Sequence, residues 1–570
     1  MLFTDYILLF SCMIGISLYG LYKIRKSRKK EQTAREAMVG SDISVPSATL
    51  AMCSGFISSI SVLGFPAEVY YQGGMMLWYA PMYFISFPLV AYVFLPVLYK
   101  LKLTTIYEYF ERRFNYNCRF VTTLLFCVQM MLYNSVALYA PSLAIATITK
   151  IPITISILIT AILSAVYISV GGAKAGIHTS AIQMALIIFT MAFIVSMSIH
   201  QMGWRDILDS ITTGKRLILN DFRINPTIRH SVWSLVIGGT GNILSLFGAN
   251  QLSVQRCLAM PSLEKAQKVL LWTIGCNSVI LFLYVSVGFS MFAFYKDCHP
   301  TIGNANELLP QFVIDVISTT PGSVGLFAAA VYSAGISTLS ASFTAVSSIL
   351  INDVWNVFRK HKKQAPLNSA DVHKAMRILP IFLSFISIFV AMLCSMLQGI
   401  ILQVSFIVFG AGGGPVLGSF VIGLFLPRVK GVAAFIGLLA SIVACFSISI
   451  GSVLVKVKPV QLELGQCGNS TMSFYDDSHI GEVTSTPLAY GFDRIFAVSY
   501  QYYSVIGIVT NVFVAYITQL FIDVCSPIRN HSEICLELVS PLFASSAPHT
   551  THHDPEPEQH NCTQHETLPC

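Results

Sequence analysis

Charge is scarce along this chain. Asp, Glu, Lys and Arg supply 11% of its 570 residues, against roughly 25% in an ordinary soluble domain, and long stretches hold none of them. Runs of about twenty apolar residues separated by short polar connectors recur from end to end, and a water-soluble core cannot hide that much continuous apolar surface. The alternating segments of about ten residues that mark a transmembrane barrel are also missing; runs such as Leu186 to Ile199 and Ile378 to Cys394 are continuously apolar. No CxxC pair occurs. The 14 cysteines fall mostly inside apolar runs, where they read as small apolar residues. No HExxH motif and no cluster of carboxylates lies in a run, so nothing there supplies the machinery of an intramembrane enzyme. The fold class that remains is an all-α polytopic membrane protein.

The hydropathy pattern predicts about thirteen spans, near 3–23, 48–71, 76–99, 118–148, 152–170, 177–200, 231–250, 268–294, 323–350, 377–397, 400–426, 431–455 and 496–524. The first is followed by Lys23, Arg25, Lys26, Arg28, Lys29 and Lys30, the pattern of a retained span with its N-terminus outside and not of a cleaved signal peptide. Alternating from there puts 25 Lys and Arg on the cytoplasmic side and 10 outside, accounting for all 35. The net charge of +7 then follows from the positive-inside rule and calls for no nucleic acid. Asn469, Ser470 and Thr471 form a glycosylation acceptor in a segment this topology places outside. Asn530 and Asn561 carry acceptors on the cytoplasmic side, so only Asn469 is expected to bear a glycan. Cys298 and Cys467 lie in outside loops and could pair. The tail, with His549, His552, His553, His560 and His565 among Pro, Thr and Glu, has the composition of a solvated, disordered segment, with a metal site as the alternative.

The resulting layout is a first span and basic cytoplasmic linker over 1–47, a five-span group over 48–200, an extracellular loop over 201–230, a second five-span group over 231–426, two additional spans with a glycosylatable loop over 427–525, and a cytoplasmic tail over 526–570. Two spans look interrupted. The second contains Gly55, Gly64 and Pro66 and ends in Gly73 and Gly74; the seventh opens with Gly238, Gly239, Thr240, Gly241 and Asn242. They head the two five-span groups, and an odd repeat length forces the halves into opposite orientations. Paired breaks at corresponding positions of two halves point to a transporter site at the midplane; close helix packing at glycine is the alternative.

Span nine presents Ser333, Ser337, Thr338, Ser340, Ser342 and Thr344 among alanines. Ser337 and Thr338 with the carbonyl of Ala334 could offer an alkali cation several oxygens, the rest coming from carbonyls around Ser54 and Ile57 near the break in span two. The competing reading is a packing stripe whose hydroxyls bond back to the preceding turn. Glu68 is the one acid well inside a span, which makes it a functional candidate; just after Pro66 and near the outer end, it is expected to stabilise the break or a gate. His178, at the inner end of span six, reads as structural or capping.

The segments SVLGFPAEVYYQGG, LTTIYEYFERRF, LYAPSL, GGAKAGIHTSAIQ, GANQLSVQRCLA, YSAGISTLSASF and GPVLGSFVIGLFLP together resemble the sodium/solute symporter family, in the animal branch of the sodium-coupled monocarboxylate, sodium-dependent multivitamin and sodium/iodide transporters. The resemblance covers residues 1 to about 525. It implies an inverted five-plus-five helix repeat and a principal sodium site at Ser54, Ile57 and Ala334 through carbonyls and at Ser337 and Thr338 through hydroxyls. It implies a second sodium site at Tyr139, Gln183 and Gln251, but Ser180 stands where the family's pattern has aspartate, and a neutral hydroxyl cannot offset a second cation. Substrate is expected near Phe56, Ser61, Tyr83, Phe247 and Phe406. Ser61 and Ile243 replace the glutamine and tryptophan of the iodide symporter, which argues against iodide. The expectation is therefore a sodium-coupled symporter of a small organic anion in the plasma membrane, not an enzyme, with sodium as coupling ion, no cofactor, and a cytoplasmic C-terminus. An inorganic-anion symporter and an uncoupled sensor or channel on the same fold are the alternatives.

Overall fold

The computed structural model describes residues 3–27, 43–396, 400–454 and 493–525, together with 462, 464, 491, 538 and 539. It is helical almost throughout. In chain order the principal helices are α1 (Phe3–Ser27), α2 (Val45–Phe56), α3 (Ser59–Gln72), α4 (Gly74–Lys100), α5 (Tyr116–Thr149), α6 (Ile153–Met202), α7 (Trp204–Thr213), α8 (Ser234–Gly248), α9 (Gln251–Leu258), α10 (Leu263–Phe294), α11 (Leu308–Ile317), α12 (Ser323–His361), α13 (Ser369–Cys394), α14 (Ile401–Phe425), α15 (Gly431–Leu454) and α16 (Tyr500–Cys525).

Ten of these helices are long and apolar enough to cross a membrane, and α2 with α3 makes an eleventh span bent by 63°. The apolar stretches Ile153–Ala165 and Ser234–Gly248 are shorter, so the expected count of thirteen is not reached on length alone. Burial sorts the spans into layers: 83% of the apolar window of both α12 and α14 is covered, against 17% for α1 and 22% for α16. The small residues of α12 and α14 let neighbouring helices approach on every side. The periphery is the opposite; Phe282, Phe382, Phe385, Phe389, Val443, Phe513 and Phe521 are 62–67% exposed, a rim that only hydrocarbon solvates.

The break in span two is real. α2 ends at Ile57, whose ψ of 82° leaves the helical region, and α3 starts afresh at Ser58, whose side chain accepts from the Ile60 amide at 3.2 Å. The expected break at the head of span seven is not found. Residues 234–248 are helical through all three glycines, with a π turn over Ser234–Gly238, and the chain leaves the helix only at Ala249. The glycines there serve packing: a Cβ on Gly238 would lie 2.5 Å from the Gln501 carbonyl oxygen, and one on Gly241 would lie 3.0 Å from Val505. The connector expected at 171–176 is also helical, joining the apolar parts Ile153–Ala165 and Ile177–Met202 within α6. Glycine and alanine in GGAKAG permit this, since a glycine inside a helix costs only about 1 kcal/mol. Cys298 is disulfide-bonded to a residue outside the described ones, where Cys467, Asn469 and the histidines of the tail also lie.

Candidate cation site and solute cavity

The end of α2 meets the middle of α12. Ser337 Oγ donates to the Ser54 carbonyl at 3.1 Å and lies 3.0 Å from the Ala334 carbonyl, while Thr338 Oγ1 is 3.3 Å from the same Ser54 oxygen. Ser54, Ala334, Ser337 and Thr338 are fully buried, and Ile57, three residues on from Ser54, stands at the break. Two carbonyls and two hydroxyls thus converge where the helix stops. Each hydroxyl keeps lone pairs for a cation, and unwound carbonyls at a discontinuous helix are the usual alkali-ion ligands in transporters of this build. The packing-stripe reading holds for other hydroxyls of α12: Thr344 bonds back to Ser340 at 2.7 Å and Ser348 to Ala345 at 2.8 Å.

The residues expected at a second sodium site are not drawn into one cluster. Gln251 is fully buried but engaged with the connector between α4 and α5, accepting from the Ile106 amide at 2.9 Å and donating to the Thr104 carbonyl at 3.1 Å. Thr105 of that connector bonds Asp353, which also accepts from Thr123 of α5. Tyr139 lies sixteen residues further along α5, about 24 Å at 1.5 Å per residue. Ser180 and Gln183 are buried together on α6, and Gln183 Oε1 has no hydrogen-bond partner among the described residues.

Beside the break lies a cavity of about 80 Å³, and all five expected substrate residues, Phe56, Ser61, Tyr83, Phe247 and Phe406, line it. Aromatic rings set its walls: Phe56 packs on Phe247 at 5.0 Å between centroids, and Phe87 on Phe247 at 4.6 Å. The lining also holds Ser58, Tyr133, Asn277, Tyr284 and Ser405, which sequence reasoning missed. Asn277 and Tyr284 had a legible signal, since they sit seven residues apart, on one face of an otherwise apolar span. The lining contains no Lys, Arg, Asp or Glu. Ser58, Ile60 and Ser61 at the start of α3 belong to this lining; Ser58 takes the Ile60 amide, and the helix start carries a partial positive charge.

Above the cavity sits an ionic cap. Glu68, fully buried on α3, takes a bidentate pair from Arg229, Nε to Oε1 at 2.6 Å and Nη2 to Oε2 at 3.0 Å, and Arg229 Nη1 also donates to Gln403 of α14 at 2.8 Å. His230 lies 3.5 Å from Glu68 and 2.8 Å from the Tyr500 hydroxyl. Burial pushes the His230 imidazole down to about 4 against the pull of Glu68, leaving it neutral near pH 7 and Arg229 as the cation of the cap. Tyr500 in turn stacks on Phe406 at 5.8 Å, which joins the cap to the cavity roof. The gate-or-break reading of Glu68 therefore acquires partners from three further elements.

Asp353, near the C-terminal end of α12, is fully buried. It is held by Arg119, by Thr105 at 2.6 Å, by Thr123 at 3.2 Å and by Asn352 at 3.0 Å, and Arg119 also pairs with Glu111. Sequence reasoning missed this cluster, because its members are scattered along the chain. Asp353 lies fifteen residues beyond Thr338 along α12, about 22 Å at 1.5 Å per residue, so this network is separate from the Glu68 cap.

Comparison with known proteins fits this geometry. A model of the Sodium:solute symporter family matches residues 38–441. The chain is 32% identical over 532 residues to sodium-coupled monocarboxylate transporter 2 of Bos taurus, covering 90% of this chain and 84% of that protein. It is 27% identical to a putative sodium-dependent multivitamin transporter of Drosophila melanogaster, over 89% of this chain and 85% of that one, and 32% identical to the human sodium/iodide cotransporter, over 81% and 75%. Among solved structures, a Na+-coupled sialic acid symporter shares the fold with a TM-score of 0.74 at 22% identity, covering 91% of this chain and 98% of that one.

Proposed function

This chain belongs to the sodium:solute symporter family, and on that premise we propose that it carries a short monocarboxylate across the plasma membrane together with sodium bound at Ser54, Ile57, Ala334, Ser337 and Thr338. The size of the cavity supports this reading best. An apolar cavity of about 150 Å³ takes a benzene ring, so at about 80 Å³ this one suits a smaller solute, such as a short acid. Carboxylates of vitamin size are larger than that ring and exceed the cavity.

The chemistry of the lining agrees. An anion without a basic partner is stabilised by helix N-termini and by hydroxyls, and the start of α3 supplies the first while Ser58 and Tyr83 supply the second. Aromatic walls accept the apolar end of the solute. Sodium reaches its site at the end of α2 one turn from that helix start, so ion and carboxylate bind to the two sides of one break. Binding of either orders the break for the other, which is a positive coupling free energy between the sites. Alternating access then consists of opening the Glu68–Arg229 cap while the Asp353 cluster stays closed, and the reverse.

The test is radiotracer uptake of pyruvate, propionate, biotin, pantothenate and iodide by cells expressing the chain, with sodium or with choline in its place. Concentrative, sodium-dependent uptake of the three-carbon acids is expected. Equal rates in the two media would mean a leak or a sensor, and uptake confined to the vitamins or to iodide would refute the substrate class.

A further inference from the structure

The segment after α16 is polar in composition, yet six of the eight Ile, Leu, Val and Phe residues of 526–570 fall within 534–543. A purely solvated tail has no use for such a cluster. Two of its members are among the described residues, and both are buried: Leu538 is 7% and Val539 2% exposed, and Leu538 joins the continuous hydrophobic core. A specific contact seats them. The Tyr109 hydroxyl donates to the Leu538 carbonyl at 2.9 Å, across 429 residues of sequence. Chain length permits this, since thirteen residue steps separate Cys525, the last of α16, from Leu538, a reach of up to roughly 45 Å.

Tyr109 belongs to a short helix, Glu108–Arg113, in the connector between α4 and α5. That helix is a crossbar between two spans. On one side Thr105, just before it, bonds Asp353 of α12 at 2.6 Å, and Glu111 pairs with Arg119, which also holds Asp353. On the other side Arg113 donates to the carbonyls of Gly423, Leu426 and Pro427 where α14 ends, at 3.1–3.3 Å, and the Tyr109 ring stacks on Phe420 of α14 at 5.4 Å and 20°. Tyr109 is fully buried, and a Cβ on Gly423 would lie 2.5 Å from its hydroxyl. The phenol is therefore wedged over α14, with little freedom to turn to another partner. Because α12 carries Ser337 and Thr338 and α14 carries Phe406, the crossbar links the helix of the cation site to a wall of the cavity.

We propose that Leu538 and Val539 form a strap that docks on this crossbar at Tyr109, that this end of the transporter opens when the crossbar lifts off α14, and that the docked strap holds it down. A segment shifts such an equilibrium only through contacts that differ between the two arrangements. Here the closed arrangement gains the Tyr109 hydrogen bond and the burial of two aliphatic side chains, and the open one loses both. The tail is then a brake on the opening of the Asp353 cluster, built from the chain's own C-terminal segment.

This inference rests on the alternating opening of two closures described above, and its test needs no solute. Full-length wild type, Tyr109→Phe, Leu538→Met and the double variant Leu538→Asp with Val539→Asp would be placed in lipid nanodiscs and compared by amide hydrogen exchange, which reads local opening directly. Exchange at 104–113, 350–356 and 420–427 should rise about two- to tenfold in Tyr109→Phe, the worth of one hydrogen bond, and more than about tenfold in the double aspartate variant. Leu538→Met keeps the apolar bulk and should match wild type. Exchange around Glu68 and Arg229 should stay unchanged in all four. No rise at 104–113 in the double aspartate variant overturns the docking. A rise confined to 108–113 overturns the brake, leaving a local anchor, and a rise throughout the chain overturns it as well, since the contact then serves the fold as a whole. Pyruvate uptake by the wild-type chain, scored separately, decides the substrate reading without touching this result.

Discussion

At Ser337 and Thr338 the argument depends on single oxygen atoms. Both hydroxyls point at the Ser54 carbonyl, at 3.1 and 3.3 Å, so replacing them with alanine removes half of the oxygens that converge there and leaves the helices in place. With each ligand worth on the order of 1 kcal/mol or more, Ser337→Ala and Thr338→Ala together should raise the sodium half-saturation by at least about tenfold. Thr338→Ser, which keeps the hydroxyl, should stay near wild type. Uptake measured against sodium concentration checks this, and an unchanged curve for the double variant would remove the cation site. These residues were legible in the sequence because adjacent hydroxyls in a stripe of alanines are unusual and the family motif runs through them. Asn277 and Tyr284 were not singled out although their spacing of seven residues was visible, because which polar side chains of a span line a cavity is decided by packing between helices.

Among the elements, the Glu68–Arg229 cap joins α3 to the connector before α8, to α14 and, through His230, to α16. Residues 161 apart cannot be matched by reading along the chain, so Glu68 was legible as an intramembrane acid and its cation was not. Removing one member of such a buried pair strands the other at a cost of about 3–5 kcal/mol, whereas removing both costs far less. Glu68→Gln and Arg229→Gln should each sharply reduce surface protein and thermal stability in detergent, and the double variant should recover a large part of both. If the double variant is as unstable as the two singles combined, the pair is not the latch. The two helix breaks show a related limit. The break at Ile57–Ser58 falls two residues after Gly55, while the chain stays helical through Gly64 and Pro66. At Gly238–Gly241 the same residue type only admits the backbone at Gln501 and the side chain of Val505, and the chain breaks ten residues later at Ala249. Glycine spacing alone records that something approaches closely, without saying whether it is a ligand or another helix.

For the molecule as a whole, the number of passes fixes which loops face outside and therefore where a glycan can be added. A glycan shift in gel mobility that disappears in Asn469→Gln, with no shift lost in Asn530→Gln or Asn561→Gln, is the expected result; a glycan on Asn561 would reverse the parity of the spans. Stoichiometry is the second whole-molecule property, and it turns on Ser180. A membrane potential of about 60 mV is worth roughly 1.4 kcal/mol per charge, and a tenfold sodium ratio about the same. One sodium with one monovalent anion moves no net charge, so the potential drops out and accumulation is limited to about tenfold. Two sodium ions would raise that limit to about a thousandfold and make every cycle carry current. A second cation needs a compensating anion, yet Ser180 and Gln183 are buried and neutral on α6, and Gln251 is tied to the connector at 104–106. Transport of a monovalent acid should therefore be activated by sodium with a Hill coefficient near one and draw no substrate-dependent current under voltage clamp. Ser180→Asp places a carboxylate in that buried site, where it needs a neutralising partner, and sodium is the cation that transport brings there. The variant should gain an inward current and a steeper sodium dependence; an inward current of one charge per anion already present in the wild-type chain would establish two-sodium coupling instead.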